Sequence, residues 1–271
     1  MQPLWKSHII KQKTGPDDPE FQATLQEALG QVAPADVIAI ADELTERQSR
    51  LFSGIRNDPA SLAAHSVEVF SAVTHTKSNT RVLINTFAGH DLEPIDELLN
   101  GEALPPLRVA AFVEKLTVLD PRLALELATG LLYNTSPEAN WLWTRWLWDP
   151  TTATGILPLL AGSTHNLFSN DLMDGYVRVG AVTALSRRAG EGAGLFTPEL
   201  LSNEKRAFFA DSAFLACAYS VYMYGATSWR LSREFNRLLP TLPDMARRLL
   251  GLKKTGRAPS SDDQKQSVSV Q

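Results

Sequence analysis

The sequence predicts an all-α protein, either an irregular multi-helix bundle or a solenoid of antiparallel helix pairs. Three observations predict it. Apolar residues recur at three- and four-residue spacing in successive segments, proline, glycine and aspartate or asparagine punctuate them, and no two runs pair as a β-hairpin. A five-residue pattern also recurs 70 residues apart, as Leu107-Arg108-Val109-Ala110-Ala111 and Val177-Arg178-Val179-Gly180-Ala181, each opening an apolar helical stretch. Such spacing points to helix pairs stacked to present a surface.

The elements follow in order. Pro16-Asp17-Asp18-Pro19 sets up a short first helix carrying Phe21, Leu25, Ala28 and Leu29. Pro34 starts a second, whose stripe of Val37, Ile38, Ala41, Leu44, Gln48, Leu51 and Phe52 ends at Gly54. Asn57-Asp58-Pro59 restarts the pattern through Leu62, His65, Val69 and Val73, and the apolar run 81–87 fits a helix by context. A short helix from Asp91 ends at Asn100-Gly101, and Pro105-Pro106 breaks the chain before the segment Leu107 to Leu119. The tight Asp120-Pro121 joint then makes this segment and the next, with Leu123, Leu127, Leu131 and Leu132, a helical hairpin.

Pro137 opens a tryptophan-rich helix that Asp149-Pro150 closes, and Ile156 to Leu160 is a further apolar stretch. Asp171 caps a long helix, which Gly190-Glu191-Gly192-Ala193-Gly194 stops as a flexible connection. An apolar helix over 207–226, a basic one over 228–239 and another over 242–252 complete the set. The expected organisation is an N-terminal arm at 1–15, one all-helical domain at 16–252 with a possible internal boundary near 101–106, and a disordered polar tail at 253–271.

Leu107 to Ala111, and Tyr176-Val177-Arg178-Val179-Gly180-Ala181-Val182-Thr183-Ala184-Leu185, resemble the second helices of HEAT-type repeats. The resemblance covers about 15 residues and departs from the repeat pattern at Trp141 to Trp148. It implies that these positions pack neighbouring helices and that Arg108 and Arg178 are structural.

Composition limits the function classes. A hydrophobic share of 44%, a charged share of 21% and a net charge of -4 belong to an ordinary globular chain. The single Cys217 excludes an intrachain disulfide and suits a reducing cytoplasm. The first 15 residues lack the apolar core of a signal peptide. The segment 207–226 contains Asp211, an acid costing about 2.5 to 3.5 kcal/mol at mid-membrane, so a buried central helix is expected there and no span.

Four of six tryptophans fall in Trp141-Leu142-Trp143-Thr144-Arg145-Trp146-Leu147-Trp148. At helical spacing Trp141, Arg145 and Trp148 share a face, with the guanidinium between two indoles. Two readings are open: a core helix filling a wide space between layers, or an exposed anchor for a protein partner or stacked bases. Charge is also segregated. Nine acids against three arginines make 16–58 net -6, and eight basic residues against two acids make 228–257 net +6. Arg230, Arg233 and Arg237 share a helical face, and Arg247 and Arg248 extend it, as a solvated surface, a contact for an acidic protein including a second copy, or a phosphate-backbone contact.

The histidines His8, His65, His75, His90 and His165 have no ligand spacing, so no metal and no cofactor is expected. Asp171 and Asp174 are explained by the helix start, and the glycine cluster lacks the context of a phosphate loop. Asp211 within an apolar helix needs a tyrosine or arginine partner. The expected function is a non-catalytic helical adaptor or assembly subunit binding a protein partner through Trp141, Arg145, Trp148, Arg230, Arg233, Arg237, Arg247 and Arg248. The alternatives are a nucleic-acid-binding subunit using the basic C-terminal helices, and an enzyme with Asp211, or Asp171 and Asp174, as acid or base in a HEAT-like base-excision arrangement.

Overall fold

Pro34 presets the first turn of α1 (Pro34–Arg47), and Val37, Ile40, Ala41 and Leu44 place one buried apolar stripe along it. In the computed structural model the described residues are 26–27, 29–74, 76–88, 92–161, 165–228 and 240–252, with the backbone alone over 224–228. The first predicted helix lies mostly outside them, as do the N-terminal arm, the segment 229–239 and the tail from 253.

After α1 the chain inserts a π-helical turn, Gln48–Phe52, closed by the Ser53 N–H donating to the Gln48 carbonyl at 3.0 Å. Arg47 rather than Gln48 continues the inner stripe, three residues after Leu44, and the π turn keeps Leu51 and Phe52 facing the core. The elements α2 (Ser61–Ala64), α3 (Ser66–Thr74), α4 (Lys77–Phe87), α5 (Glu93–Asn100), α6 (Pro105–Lys115) and α7 (Pro121–Thr135) follow. The run 81–87 is therefore helical, and the single helix expected over 62–73 is broken at His65. Asp120 caps α7 by accepting from the N–H groups of Arg122 and Leu123, and α6 and α7 form the expected hairpin.

The second half comprises α8 (Leu157–Ala161), α9 (Leu172–Gly192), α10 (Pro198–Leu201), α11 (Glu204–Ala207), α12 (Ala210–Ser228) and α13 (Leu242–Leu249). Among the described residues the fold is all-α; the sole β feature is an isolated bridge between Asp149 and Thr154. Two helices act as hubs. α7 packs against α3, α5 and α6, with Gly130 backed so closely on Val73 that a Cβ would lie 2.9 Å from it. α12, buried over Ala210 and from Ala213 to Ala218, packs against α1, α9 and α13. One contiguous core joins them, from Leu29 to Leu250.

Two sequence expectations are corrected. The glycine cluster is not a linker: α9 runs through Gly192 and ends in a Schellman motif, with the N–H of Leu195 on the Gly190 carbonyl, that of Gly194 on Glu191, and Gly194 at φ +72°. Gly190 is there for packing, since a Cβ would sit 2.5 Å from the Phe196 ring. The tryptophan segment is not a helix but an irregular loop and turn. Its backbone is held by the Thr129 hydroxyl, which donates to the Trp143 carbonyl at 3.1 Å, and by the pairing of Asp149 with Thr154. No described helix is long and apolar enough to cross a membrane.

Candidate functional site

In the loop 141–150 the indoles point like spokes to different neighbours. Trp141 stacks on Tyr176 of α9 at 4.7 Å and donates Nε1–H to the Tyr176 carbonyl at 2.7 Å. Trp148 meets Phe168 edge-on at 5.0 Å, Trp146 meets Tyr219 of α12 at 6.0 Å, and Trp143 donates Nε1–H to the Trp148 carbonyl. Trp143, Trp146 and Trp148 are buried, Trp148 to 3% exposure. They bridge the two hubs, which is the core-filling reading with a loop in place of a helix. The shared face of Trp141, Arg145 and Trp148 does not form, because that geometry required helical spacing. Arg145 instead turns outward and pairs its Nε with Asp149 Oδ2 at 3.1 Å.

Beneath this loop Glu126, Trp143, Thr144, Trp148 and Asp149 line a cavity of about 60 Å³. Burial pushes the Glu126 carboxyl above its ordinary range, against the opposing pull of the Arg145 backbone N–H. Asp149 moves the other way: burial raises it, but the bonds from Thr151 and Arg145 outweigh that and leave it low. Carboxyls held apart in this way are the usual preparation for acid–base chemistry. The cavity, however, is several times smaller than the ~300 Å³ at which small-molecule sites begin. We assign both groups to holding the loop.

The basic surface is only partly available for a partner. Arg247 forks onto Glu43 of α1, with Nη2 to Oε1 at 2.7 Å, and Arg206 reaches Asp42 at 3.3 Å. The acidic N-terminal region and the basic C-terminal region thus meet inside one molecule. Arg248 is exposed, whereas Arg230, Arg233 and Arg237 lie outside the described residues.

The other flagged acids have structural partners. Asp171 caps α9 through the Met173 N–H, and Asp174, held below the usual range by bonds from Ser169 and Arg178, pairs with Arg178 at 2.6 Å. Asp211 receives both Nε and Nη2 of Arg187, at 2.9 and 3.0 Å. Burial pushes the Cys217 thiol up to about 12. Among the described residues no group of three histidine, cysteine or acidic side chains could hold a metal ion.

Sequence reasoning missed the edge formed by α5 and α6. A groove of about 320 Å³ runs between them, floored by Leu98, Ala111 and Phe112 and crossed by the Glu97–Lys115 ion pair. Leu107 lines it at 47% exposure, and Leu104, one turn earlier, is 71% exposed. Arg108 lies along it and donates Nη1–H to the Leu98 carbonyl; burial, then the nearby Arg56, lowers its pKa. The spacing of Leu104, Leu107 and Ala111 matches an apolar helix stripe, but that spacing does not say whether the stripe is covered. Comparison of the chain with protein-family models, with curated proteins and with solved structures finds no match.

Proposed function

We propose that this chain is a non-catalytic helical adaptor or assembly subunit that seats a segment of a protein partner in the groove between α5 and α6. The observation that carries the reading is the pair Leu104 and Leu107, large aliphatic side chains left in water, Leu107 lining an apolar groove and Leu104 one turn before it. Most large apolar side chains of the described residues are covered, and an uncovered group beside a concavity marks a recognition surface. The groove also has the interface composition, apolar at its centre and charged at its rim through Glu97, Glu102 and Lys115.

Photo-crosslinking tests it. With benzoylphenylalanine at position 107 in the native host, the expected result is one discrete protein adduct that disappears when Leu104→Asp is added and the far-ultraviolet spectrum is unchanged. An adduct of twice the chain mass assigns the partner as a second copy. An adduct at position 248 with none at 104 or 107 overturns the groove and returns the contact to the basic C-terminal surface.

A further inference from the structure

A second concavity lies on another side of the molecule. It is a cleft of about 390 Å³ with α1 and its π-helical turn on one side, α3 on the other, and Gly251 and Leu252 closing one end. Its apolar surface comes from Leu51, Val67, Ala72 and Leu252, and Val67 stands 58% exposed at the mouth. Arg47 is part of its wall.

Arg47 differs from the ion-paired arginines and is the most deeply buried arginine among the described residues. Arg50, Arg145, Arg178, Arg187, Arg206 and Arg247 each reach a carboxylate within 3.3 Å. Arg47 is 7% exposed and has none. Its Nη1 donates to the Leu250 carbonyl at 2.5 Å and its Nη2 to Asn134 Oδ1 at 2.9 Å, and Nε has no acceptor among the described residues. Only two of the five guanidinium N–H donors are used. Two neutral oxygens do not neutralise a buried cation, and burial accordingly pushes its pKa down to about 10.

The charges that face Arg47 set the sign of a complementary ligand. Glu43 is occupied by Arg247 and Glu68 by Arg50, which leaves Glu46, exposed to water, as the uncompensated acid of the wall. Arg50 is itself more than half exposed and can turn from Glu68 toward an incoming anion. A buried cation beside an apolar wall selects a molecule with one acidic group and a short hydrocarbon body.

We propose that the cleft between α1 and α3 binds a small amphipathic carboxylate, its head on Arg47 and Arg50 and its apolar part against Leu51, Val67, Ala72 and Leu252. This site is separate from the partner groove.

Calorimetric titration of the full chain with octanoate, octanamide and octylamine tests it. One saturable site for octanoate is expected, with octanamide at least about tenfold weaker and octylamine weaker still. Arg47→Gln should abolish binding. Because that variant also loses the links to Leu250 and Asn134, Val67→Trp, which fills the mouth without touching Arg47, should abolish it as well. The absence of saturable octanoate binding up to the limit of its solubility, equal binding of the amide or amine, or undiminished binding in Val67→Trp overturns the proposal.

Discussion

The tryptophan loop at 141–150 and the α5–α6 edge differ in opposite ways in sequence and in structure. The loop has the most unusual composition in the chain and spends it inward, with three of its four indoles buried between α7, α9 and α12. The edge has unremarkable composition, yet it leaves Leu104 and Leu107 in water beside a groove. Unusual composition here marks a volume to be filled; the candidate recognition surface is marked by ordinary aliphatic residues that the fold fails to cover. A conspicuous aromatic cluster is therefore a statement about packing until burial is known.

The contrast can be broken most severely at Trp148. Replacing this buried indole with alanine empties the space between Phe168 and the loop, and Trp148→Ala should lower the unfolding free energy by about 3–5 kcal/mol in urea titration. A loss under 1 kcal/mol would show that the loop is not core. Gly180→Ala comes next. Its new Cβ would lie 2.1 Å from the Trp141 ring, so the stacked pair with Tyr176 must shift, at a cost of about 1–3 kcal/mol.

Glu126→Gln gives a smaller, pH-dependent effect. The folded-state pKa of Glu126 is raised above the ordinary 4.5, so its contribution is fully present below that value and is lost as pH rises through the folded value. The wild-type chain should gain stability on acidification from neutrality toward pH 4.5, and the variant should gain less. Identical pH profiles would remove the assignment. Smallest in stability is Leu107→Asp, expected within about 0.5 kcal/mol of wild type because the side chain is half exposed. With the benzoylphenylalanine moved to position 104, the same change should abolish the crosslinked adduct, which sharpens the distinction between a residue that holds the fold and one that serves its surface.

What was legible in the sequence was local. Pro34, Asp120-Pro121 and Asp171 announce helix starts through chemistry contained within one turn, and α1, α7 and α9 begin where those residues place them. Asp211 in an apolar helix calls for a tyrosine or an arginine partner, and Arg187 takes that role. What was not legible depended on contacts far along the chain. Thr129 holds the Trp143 backbone from 14 residues away, and Tyr176 receives Trp141 from 35 away, so an eight-residue window cannot distinguish an all-apolar helix from a loop with spokes. Arg47 follows Leu44 at the three-residue step of the same stripe, so its place there fits the period, but its side-chain partners at Asn134 and Leu250 lie far along the chain. The groove escaped for a different reason: exposure belongs to the neighbours a helix lacks, and a sequence names only the residues it has.

The union of α1 with α13 bears on how the chain is made. Arg47 bonds the Leu250 carbonyl 203 positions away, and Glu43 bonds Arg247 across 204. At ~5–20 residues per second, α1 leaves the ribosome about 10–40 s before the helix that completes its surroundings. Throughout that interval an apolar stripe and a cation destined for burial stand in water. The nascent chain thus offers chaperones a defined client period, and slower translation of the second half should lengthen it, whereas a circular permutant that places α13 just ahead of α1 should remove it.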